Sequence, residues 1–451
     1  MPRMICMRAF IASSIGVTCA AALALPLAAP AGAASDTPAH PATAGSLPAE
    51  ASEPAALPGS TQSLALSPLS TASARAPGEL SSAAAGQGLT ERDVHPFSMV
   101  GVVWDDVNTE LHGTAQVRTR STSTGRWSGW QDLETHNAEH SADPGTAERE
   151  SSAVRGSTAP LWVGASDGVE VRVDPEAPDT SGTRDASATP VPLPGGLHLE
   201  LVDPGKDPQE PPATGAAGAD RAAARSATAL PALSRSATDA AAGYAPGAKP
   251  YIGPRPRIIT RKGWGADEKI REKAFAYTST VKAAFVHHSA TGNNYTCSQA
   301  PSVLRGIYRY HVKSNGWRDI GYNFAVDKCG NIYEGRAGGV TKAVMGAHTL
   351  GFNTNTMGVV VLGTFSGTNP PAASVNAVAK LTAWKLGLFK ANPKGKVTLV
   401  SGGSNKYKKG KKVKLNVISG HRDGFATECP GARLYKKLGT TRTSSAKLQG
   451  R

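Results

Sequence analysis

Short stretches of alternating apolar and polar residues fill the chain between residues 93 and 204. In "LWVGASDGVEVRV", Val169 and Val171 point to one side of an extended strand and Glu170 to the other, because successive side chains alternate across a strand. "VGVVWDD", "AQVRTRST" and "GLHLELV" have similar strand-like lengths, with Gly and Asp at the intervening turns. The pattern predicts a small antiparallel β domain over residues 93–204, without a recognisable group of catalytic residues.

A different pattern, in which strands alternate with helices, occupies residues 253–440. "VKAAFVHHS" and "MGVVVLGTF" are apolar runs typical of buried strands, and "YNFAVDKCGNIYEG" predicts a hairpin with its turn near Gly330. "QAPSVLRGIYRYHV" has apolar residues at helical spacing, and "PAASVNAVAKLTAWKLGLF" predicts a second helix with Pro371 near its start. This order predicts an α/β domain with one mixed β-sheet flanked by helices.

Three further segments show no periodicity. Residues 35–92 are rich in Ala, Pro and Ser and are predicted to be disordered. Residues 205–252 are Ala-rich and short of large apolar side chains, which predicts a linker, and residues 441–451 are predicted to be a basic tail. We therefore expect two folded domains separated and flanked by irregular chain.

The first 34 residues have the features of a signal peptide. Arg3 and Arg8 precede an apolar stretch, and "AGAAS" offers small residues for cleavage. An uncleaved anchor is the alternative, but Pro26 and Pro30 interrupt the apolar stretch. No other stretch approaches the roughly 20 apolar residues that span a bilayer. We expect a secreted, cell-wall-associated protein without stable membrane insertion after cleavage.

The two halves of the chain carry opposite charge. Residues 251–451 contain 33 Lys and Arg against 8 Asp and Glu, whereas residues 1–250 contain 16 against 27. This asymmetry indicates that the C-terminal half works near a polyanion, for which nucleic acid, anionic lipid and anionic cell wall are candidates. No nucleic-acid-binding motif accompanies the charge. The run "NKYKKGKKVKL" (405–415) is either a solvated hairpin tip or a contact to anionic wall polymers.

The cysteines and histidines of the C-terminal half suggest a metal site. Removal of the leader leaves Cys297, Cys329 and Cys429, an odd number for an oxidising compartment, which one disulfide and one metal-bound thiolate would explain. Zinc hydrolases use three protein ligands and leave the fourth position to water. Cys429 follows His421 by eight residues, and "FVHHSAT" offers two adjacent histidines, of which only one can face the metal.

Several ordered motifs resemble the peptidoglycan recognition protein family, and more closely its bacterial secreted N-acetylmuramoyl-L-alanine amidases. They are "FVHHSAT", "GWRDIGYNFAVDKCGNIYEGR", "GAHTLGFNTNTMGVVVLGTF" and "GHRDGFATECPG". The resemblance covers roughly residues 255–440, whereas the N-terminal β region is similar to accessory regions of bacterial members only loosely. It implies a zinc site formed by His287, His421 and Cys429. Cys297 and Cys329 then remain as the expected disulfide.

The resemblance also implies functional residues around the metal. Tyr322 and Thr427 match catalytic positions, one stabilising the oxyanion and the other orienting water, in an order that the sequence leaves open. His348 and Asn353 match a motif that lines the substrate groove. Asp423 either supports His421 or caps its loop.

The implied reaction is zinc-dependent hydrolysis of the amide bond between N-acetylmuramic acid and L-alanine in peptidoglycan. Because the chain keeps Tyr322 and Cys429, an enzyme is favoured over the main alternative, a non-catalytic peptidoglycan-binding or sensing protein on the same fold. A second alternative makes Cys429 a nucleophile paired with His421, as in a cysteine peptidase.

The resemblance finally implies a substrate preference. Members that prefer diaminopimelate over lysine in the peptide stem commonly have Gly, Trp and Arg at three positions, which here are Gly316, Trp317 and Arg336. Diaminopimelate has a carboxylate that lysine lacks, and an arginine can bind it with two charge-assisted hydrogen bonds. We expect diaminopimelate-type peptidoglycan as the substrate, without a distinction between its LL and meso isomers.

Overall fold

The computed structural model describes residues 59–69, 86–177, 191–208 and 228–451. The predicted signal peptide, residues 1–34, lies outside these ranges, as do most of the segment predicted to be disordered and part of the Ala-rich linker. Two large β-sheets organise the described residues.

The first sheet has eight strands, and all of its pairings are antiparallel. The strands are β1 Ser60–Ala65, β2 Ser67–Pro68, β3 Gln87–Trp104, β4 Gly113–Ser121, β5 Gln131–Leu133, β6 Gly156–Ser157, β7 Leu161–Pro175 and β8 His198–Asp203. Six of them follow the order β1-β8-β3-β7-β4-β5, while β2 and β6 pair with parts of β3. An all-β N-terminal domain is thereby confirmed.

Alternation along the strands builds the core of this sheet, as predicted. Val169 and Val171 are almost completely buried, whereas Glu170 faces outward and forms an ion pair with Arg118. The prediction of disorder over residues 35–92 is wrong for β1, β2 and the start of β3. Residues 60–65 pair along their whole length with β8, a partner so distant in sequence that composition does not indicate it.

The second sheet is mixed, as predicted for the C-terminal domain. Its seven strands are β9 Ala229–Leu230, β10 Ile258–Ile259, β11 Ala283–His288, β12 Phe324–Val326, β13 Ile332–Glu334, β14 Thr356–Val361 and β17 Ile418–Gly420. They follow the order β17-β11-β14-β12-β13-β10-β9, and the first four are mutually parallel. A separate antiparallel hairpin consists of β15 Lys396–Val400 and β16 Lys412–Asn416.

Helices cover the second sheet. They are α1 Arg235–Ala241, α2 Arg261–Trp264, α3 Ala300–Arg309, α4 Ala372–Leu388, α5 His421–Gly424, α6 Ala432–Tyr435 and α7 Leu438–Gln449. A 3-10 turn, Cys297–Gln299, precedes α3 and a π-helical turn, Tyr310–Ser314, follows it. Pro371 caps the start of α4, where its missing N–H costs no hydrogen bond. None of the helices in the described ranges is long and apolar enough to cross a membrane.

Regular structure also occurs where a linker and a tail were predicted. Helix α1 and strand β9 lie within residues 205–252, and α7 includes most of residues 441–451. The small side chains of α7 pack on α4: Ala446 is fully buried, and Thr382 of α4 donates a hydrogen bond to Ser445 at 3.2 Å. Because the residues of α7 at this contact are small, its sequence has no clear apolar periodicity, and it was predicted to be an irregular tail.

The predicted disulfide is confirmed. It joins Cys297, in the 3-10 turn before α3, to Cys329, in the turn between β12 and β13.

The two sheets share one hydrophobic core through α3. From the first domain Met99, Val103, Trp162 and Val202 contribute to it, and from the second Val303, Leu304, Ile307 and Tyr310. Tyr310 Oη also donates a hydrogen bond to the carbonyl of Thr158 at 3.1 Å. The long connection between β5 and β6, residues 134–155, here called the 134–155 segment, reaches the second domain from this interface.

Candidate metal centre

Two of the three predicted ligands follow neighbouring strands of the second sheet. His287 lies near the end of β11, and His421 follows β17 directly. The strands are parallel, with Val286 aligned to Gly420, so the two histidines take matching positions at one edge of the sheet. Their ring centroids are 4.5 Å apart.

The third predicted ligand is brought to the same place by the loop after α5. The N–H of Arg422 donates to the carbonyl of Cys429 at 3.0 Å, which folds the loop back on the helix. The N–H of Cys429 donates to Thr427 Oγ1 at 3.1 Å. Cys429 Sγ thereby lies 3.8 Å from His287 Nδ1.

A fourth donor comes from the first domain. His140, in the 134–155 segment, places Nε2 3.2 Å from His421 Nδ1 and 3.5 Å from Cys429 Sγ. Its other ring nitrogen, Nδ1, lies 3.1 Å from Asn137 Oδ1. Donation of the Nδ1 proton to Asn137 leaves the Nε2 lone pair directed at the cluster, the arrangement usual for a metal-bound histidine.

Three separations among the four donors are close to those of a tetrahedral zinc site. All four ligand atoms lie within 4.8 Å of one another, and all four residues are buried. With Zn–N near 2.05 Å and Zn–S near 2.3 Å, ideal tetrahedral geometry separates two nitrogens by about 3.3 Å and nitrogen from sulfur by about 3.6 Å. The separations of 3.2, 3.5 and 3.8 Å are close to these values. The group could therefore bind a metal ion.

Burial sets the charge state of these donors. It lowers the pKa of His140 to about 3 and holds the pKa values of His287 and His421 well below their usual range. The imidazoles are therefore neutral, the form that binds a metal. Burial also raises the pKa of the Cys429 thiol well above its usual range. A thiolate at this position requires a cation beside it.

Contacts behind the ligands hold the ring of His287. His287 Nε2 lies 3.3 Å from His348 Nδ1 and 3.4 Å from Thr349 Oγ1. His348 is fully buried, so it supports a ligand in this structure, and its predicted contact with substrate stays a prediction. Asp423 caps the loop, because it accepts the N–H of Gly420 at 2.9 Å.

The two predicted catalytic residues lie beside the cluster. The Tyr322 ring centroid is 5.5 Å from that of His287 and 5.9 Å from that of His140. Thr427 Oγ1 donates a hydrogen bond to Glu139 Oε1 at 2.7 Å. Burial raises the pKa of Glu139 to about 7, although the hydrogen bond from Thr427 opposes this. The Thr427 hydroxyl is thus already bound by the 134–155 segment.

Two of the three residues predicted to recognise the peptide stem, Arg336 and Gly316, also lie against this segment. Arg336 binds Glu148 through two hydrogen bonds of 2.7 and 2.8 Å, and both side chains are buried. Gly316 has a φ of 72°, and a Cβ added there would lie 1.8 Å from the carbonyl oxygen of Ala153. Trp317 packs on His311, with ring centroids 4.4 Å apart.

Asn353 makes the same kind of contact. Its Nδ2 donates to the carbonyl of Ser141 at 2.8 Å and to Asp143 Oδ1 at 2.7 Å. The N–H of Gly351 donates to the same carboxylate oxygen at 2.7 Å. Three of the five predicted substrate-binding positions lie close to or bind this acidic segment: Gly316, Arg336 and Asn353.

Sequence reasoning missed the contribution of the first domain. His140, Glu139, Asp143 and Glu148 belong to "ETHNAEHSADPGTAERE", which has no apolar periodicity and lies within the predicted β domain. A long stretch rich in acids and histidine between two strands is the only signal that could have marked it. The motifs of the second domain do not include it.

Comparisons with known proteins agree with this two-domain arrangement. A family model described as "N-acetylmuramoyl-L-alanine amidase" matches residues 277–432, and one described as "Rv3811 N-terminal galactose-binding domain-like" matches residues 48–193. Peptidoglycan-recognition protein SC2 of Drosophila simulans is 30% identical over 185 residues, which are 41% of this chain and 85% of that protein. N-acetylmuramoyl-L-alanine amidase of Homo sapiens is 28% identical over 192 residues, 41% of this chain and 28% of that protein.

Among solved structures, wild-type Drosophila PGRP-LB is 27% identical, with a TM-score of 0.33 and coverage of 41% of this chain and 93% of that chain. The second domain, with its mixed sheet and buried His and Cys donors, is of the amidase class. The chain belongs to the family of peptidoglycan-recognition proteins and N-acetylmuramoyl-L-alanine amidases. The family resemblance inferred from the motifs is confirmed.

Proposed function

We propose that this protein is a secreted, zinc-dependent amidase that hydrolyses the bond between N-acetylmuramic acid and L-alanine in diaminopimelate-type peptidoglycan. The observation that carries the proposal is the convergence of His287, His421 and Cys429 beside Tyr322. The amidase family match and the similarity to a human amidase support it.

The chain's own residues supply the surroundings that this reaction needs. Zinc, when bound by these donors, supplies a Lewis acid that activates water and polarises the scissile carbonyl. His348 and Thr349 hold the ring of His287 in position. Tyr322 and Thr427 each carry a hydroxyl group and lie beside the donors, so one can donate to the developing oxyanion while the other orients water.

Arg336 is the proposed determinant of the peptide stem. Its guanidinium binds a carboxylate with two hydrogen bonds in this structure, although that carboxylate belongs to Glu148. The extra carboxylate of diaminopimelate has the same chemistry, whereas a lysine stem offers an ammonium group there. The geometry around Arg336 therefore supports the expected preference.

The main alternative is a non-catalytic peptidoglycan-binding protein, and His140 is the observation that favours it. A catalytic zinc site keeps one position open, whereas four protein donors are typical of structural sites. A cysteine peptidase is not supported, because nucleophilic thiols have lowered pKa values and burial raises that of Cys429.

The direct test combines metal analysis with product analysis. We expect one zinc ion per chain, release of intact stem peptides from diaminopimelate-type cell wall, and loss of this activity on chelation that added zinc restores. Wild-type protein and a His140→Ala variant are measured side by side. Full activity of the metal-free protein would contradict zinc dependence, and zinc binding without peptide release by both proteins would favour the binding protein.

A further inference from the structure

The 134–155 segment contacts the metal donors and several residues predicted to act on the substrate. It contributes His140 to the donor cluster, Glu139 to Thr427, Asp143 to Asn353 and Glu148 to Arg336. These contacts engage a predicted ligand, a predicted catalytic hydroxyl and two predicted substrate-binding residues. A single connection between two strands thus reaches the metal donors, a catalytic residue and the residues predicted to bind substrate.

We propose that the 134–155 segment is an internal inhibitor that imitates the substrate and holds the enzyme in a closed state. His140 takes the fourth coordination position, and Glu148 takes the place of the diaminopimelate carboxylate on Arg336. The inference rests on the proposed function, because it names the internal ligand of that same site.

The chemistry of the contacts matches such a role. Four protein donors around one zinc ion would leave no position for water. Glu148 and Arg336 form a buried ion pair in which the carboxylate neutralises the guanidinium. An incoming stem carboxylate must therefore compete with Glu148 for Arg336. The N–H of Arg318 donates a further hydrogen bond to Glu148 Oε1 at 3.3 Å.

The shape of the site agrees with this assignment. A cavity of about 520 Å³ lies between the segment and the second domain, and Glu139, His140, Thr427 and Cys429 line it. Tyr322, Trp317 and Arg336 do not line this cavity. Glu148 of the segment occupies the guanidinium of Arg336, so a stem carboxylate can pair with Arg336 only after Glu148 leaves it.

The segment is held in a way that permits movement. Its contacts to the second domain include hydrogen bonds and an ion pair, which water and substrate can replace. Residues 150–153 of the segment are exposed, whereas the apolar contact between the domains lies elsewhere, on α3. The segment can therefore leave the groove while the two domains stay together.

The test uses the full chain loaded with cobalt(II), whose absorption spectrum reports its ligands. In the wild type we expect a four-donor spectrum that azide does not change. In His140→Ala an open position lets azide bind and shift the spectrum. His136→Ala is the matched control, because His136 is an exposed histidine of the same segment and should leave the spectrum as in the wild type.

Peptidoglycan cleavage by the zinc proteins is the second measurement. We expect His140→Ala combined with Glu148→Gln to be at least about tenfold more active than the wild type, as when the competent state of the wild type is populated at about 10% or less. Glu150→Gln, at an exposed acid of the same segment, should change nothing. Thermal melting checks folding, and His140→Gln replaces His140→Ala if the smaller side chain prevents it.

Each outcome has a distinct meaning. Azide binding to the wild type as readily as to His140→Ala, or lower activity of the double variant, overturns the inhibitor and leaves the amidase function standing. Azide binding only to His140→Ala, without cleavage by any variant, supports the fourth ligand and overturns the amidase function. Absence of cobalt binding in all variants overturns both.

Discussion

The second domain supplies three donors of the metal cluster, and the first domain supplies the fourth, His140. The two domains hold their donors in different ways. His287 and His421 are fixed by parallel strands whose register aligns Val286 with Gly420 in a fully buried sheet. His140 lies on an irregular segment, and its ring is oriented by Asn137 of the same segment. Moving the first two would disrupt the sheet, whereas moving His140 requires only that one connection detach.

The energies of the two arrangements differ accordingly. A buried apolar side chain contributes roughly 1.5–3 kcal/mol, and β11, β14 and β17 are apolar and buried along most of their length. A hydrogen bond that can be exchanged for one to water contributes only about 0.5–1.5 kcal/mol. The same site therefore combines three donors that belong to the second domain, here called permanent, with one from the 134–155 segment that is removable, which is what a reversible closed state needs.

The largest effect is expected when a permanent donor is removed. The Cys429→Ser variant should not retain zinc when the zinc concentration is micromolar, and its activity should fall to background. Loss of a residue that only supports a metal ligand already costs about 10- to 100-fold in affinity, so loss of the ligand itself should cost more. Zinc content after dialysis and peptide release measure this. Glu428→Ser is the control, because this neighbouring residue is exposed and should retain both properties.

The comparison predicts the opposite result at the removable donor. His140→Ala should keep the zinc ion, because His287, His421 and Cys429 remain. If His140→Ala loses zinc as completely as Cys429→Ser, the distinction between permanent and removable donors is wrong.

The second effect concerns chemistry rather than binding. Tyr322→Phe keeps the ring beside His287 and removes only the hydroxyl, so zinc content should be unchanged while kcat falls by about 10²- to 10³-fold, the cost of one oxyanion donor. Tyr251→Phe is the control, because Tyr251 is exposed and only its ring contacts Arg451. An unchanged kcat would assign the oxyanion contact to Thr427 instead.

The difference between the two kinds of donor also explains what the sequence could predict. His287 and His421 lie on or directly after buried strands, and Cys429 follows in the same local motif as His421, so family resemblance was sufficient to indicate all three. The mixed sheet was predictable from the alternation of strand and helix patterns, and the disulfide because Cys297 and Cys329 remained once Cys429 was assigned to the metal. Cys297 and Cys329 lie next to elements whose patterns are clear.

The remaining features depend on long-range pairing that no local pattern encodes. Strand β1 exists because β8 offers it an edge, and α7 forms its contact through Ala446 and Ser445, whose side chains have little hydrophobicity of their own. His140 reaches the metal cluster only because the first domain docks on α3. Such contacts are set by tertiary structure. Composition and periodicity therefore predicted disorder at β1, an irregular tail at α7 and a β domain without site residues around His140.

The third effect is one of specificity. Arg336→Ala should lower the preference for diaminopimelate over lysine stems by about 10- to 100-fold, because a hydrogen bond to a charged group is worth about 1.5–3 kcal/mol. The substitution is made together with Glu148→Gln, since the single change would leave Glu148 buried and unpaired. Competition between the two muropeptides measures the ratio, and the Glu148→Gln protein is the reference. An equal loss on both stems would show that Arg336 only stabilises the fold.

The smallest effect is expected outside the site, on the hairpin of β15 and β16. Its tip carries exposed lysines, among them Lys408, Lys409 and Lys411, which we propose contact anionic wall polymers. Replacing these three by Gln should weaken binding to purified cell wall by about three- to tenfold at low salt and hardly at all at high salt, because exposed charges are screened.

A control variant has the same charge change at three other exposed lysines, Lys269, Lys273 and Lys313. It distinguishes a local contact of the hairpin from an effect of the net charge of the domain. Equal weakening in both variants would mean that the wall attracts the basic domain as a whole, and no weakening would leave the hairpin as a solvated tip. In either variant the cleavage of soluble muropeptides should stay unchanged, because the metal donors and Arg336 are left intact.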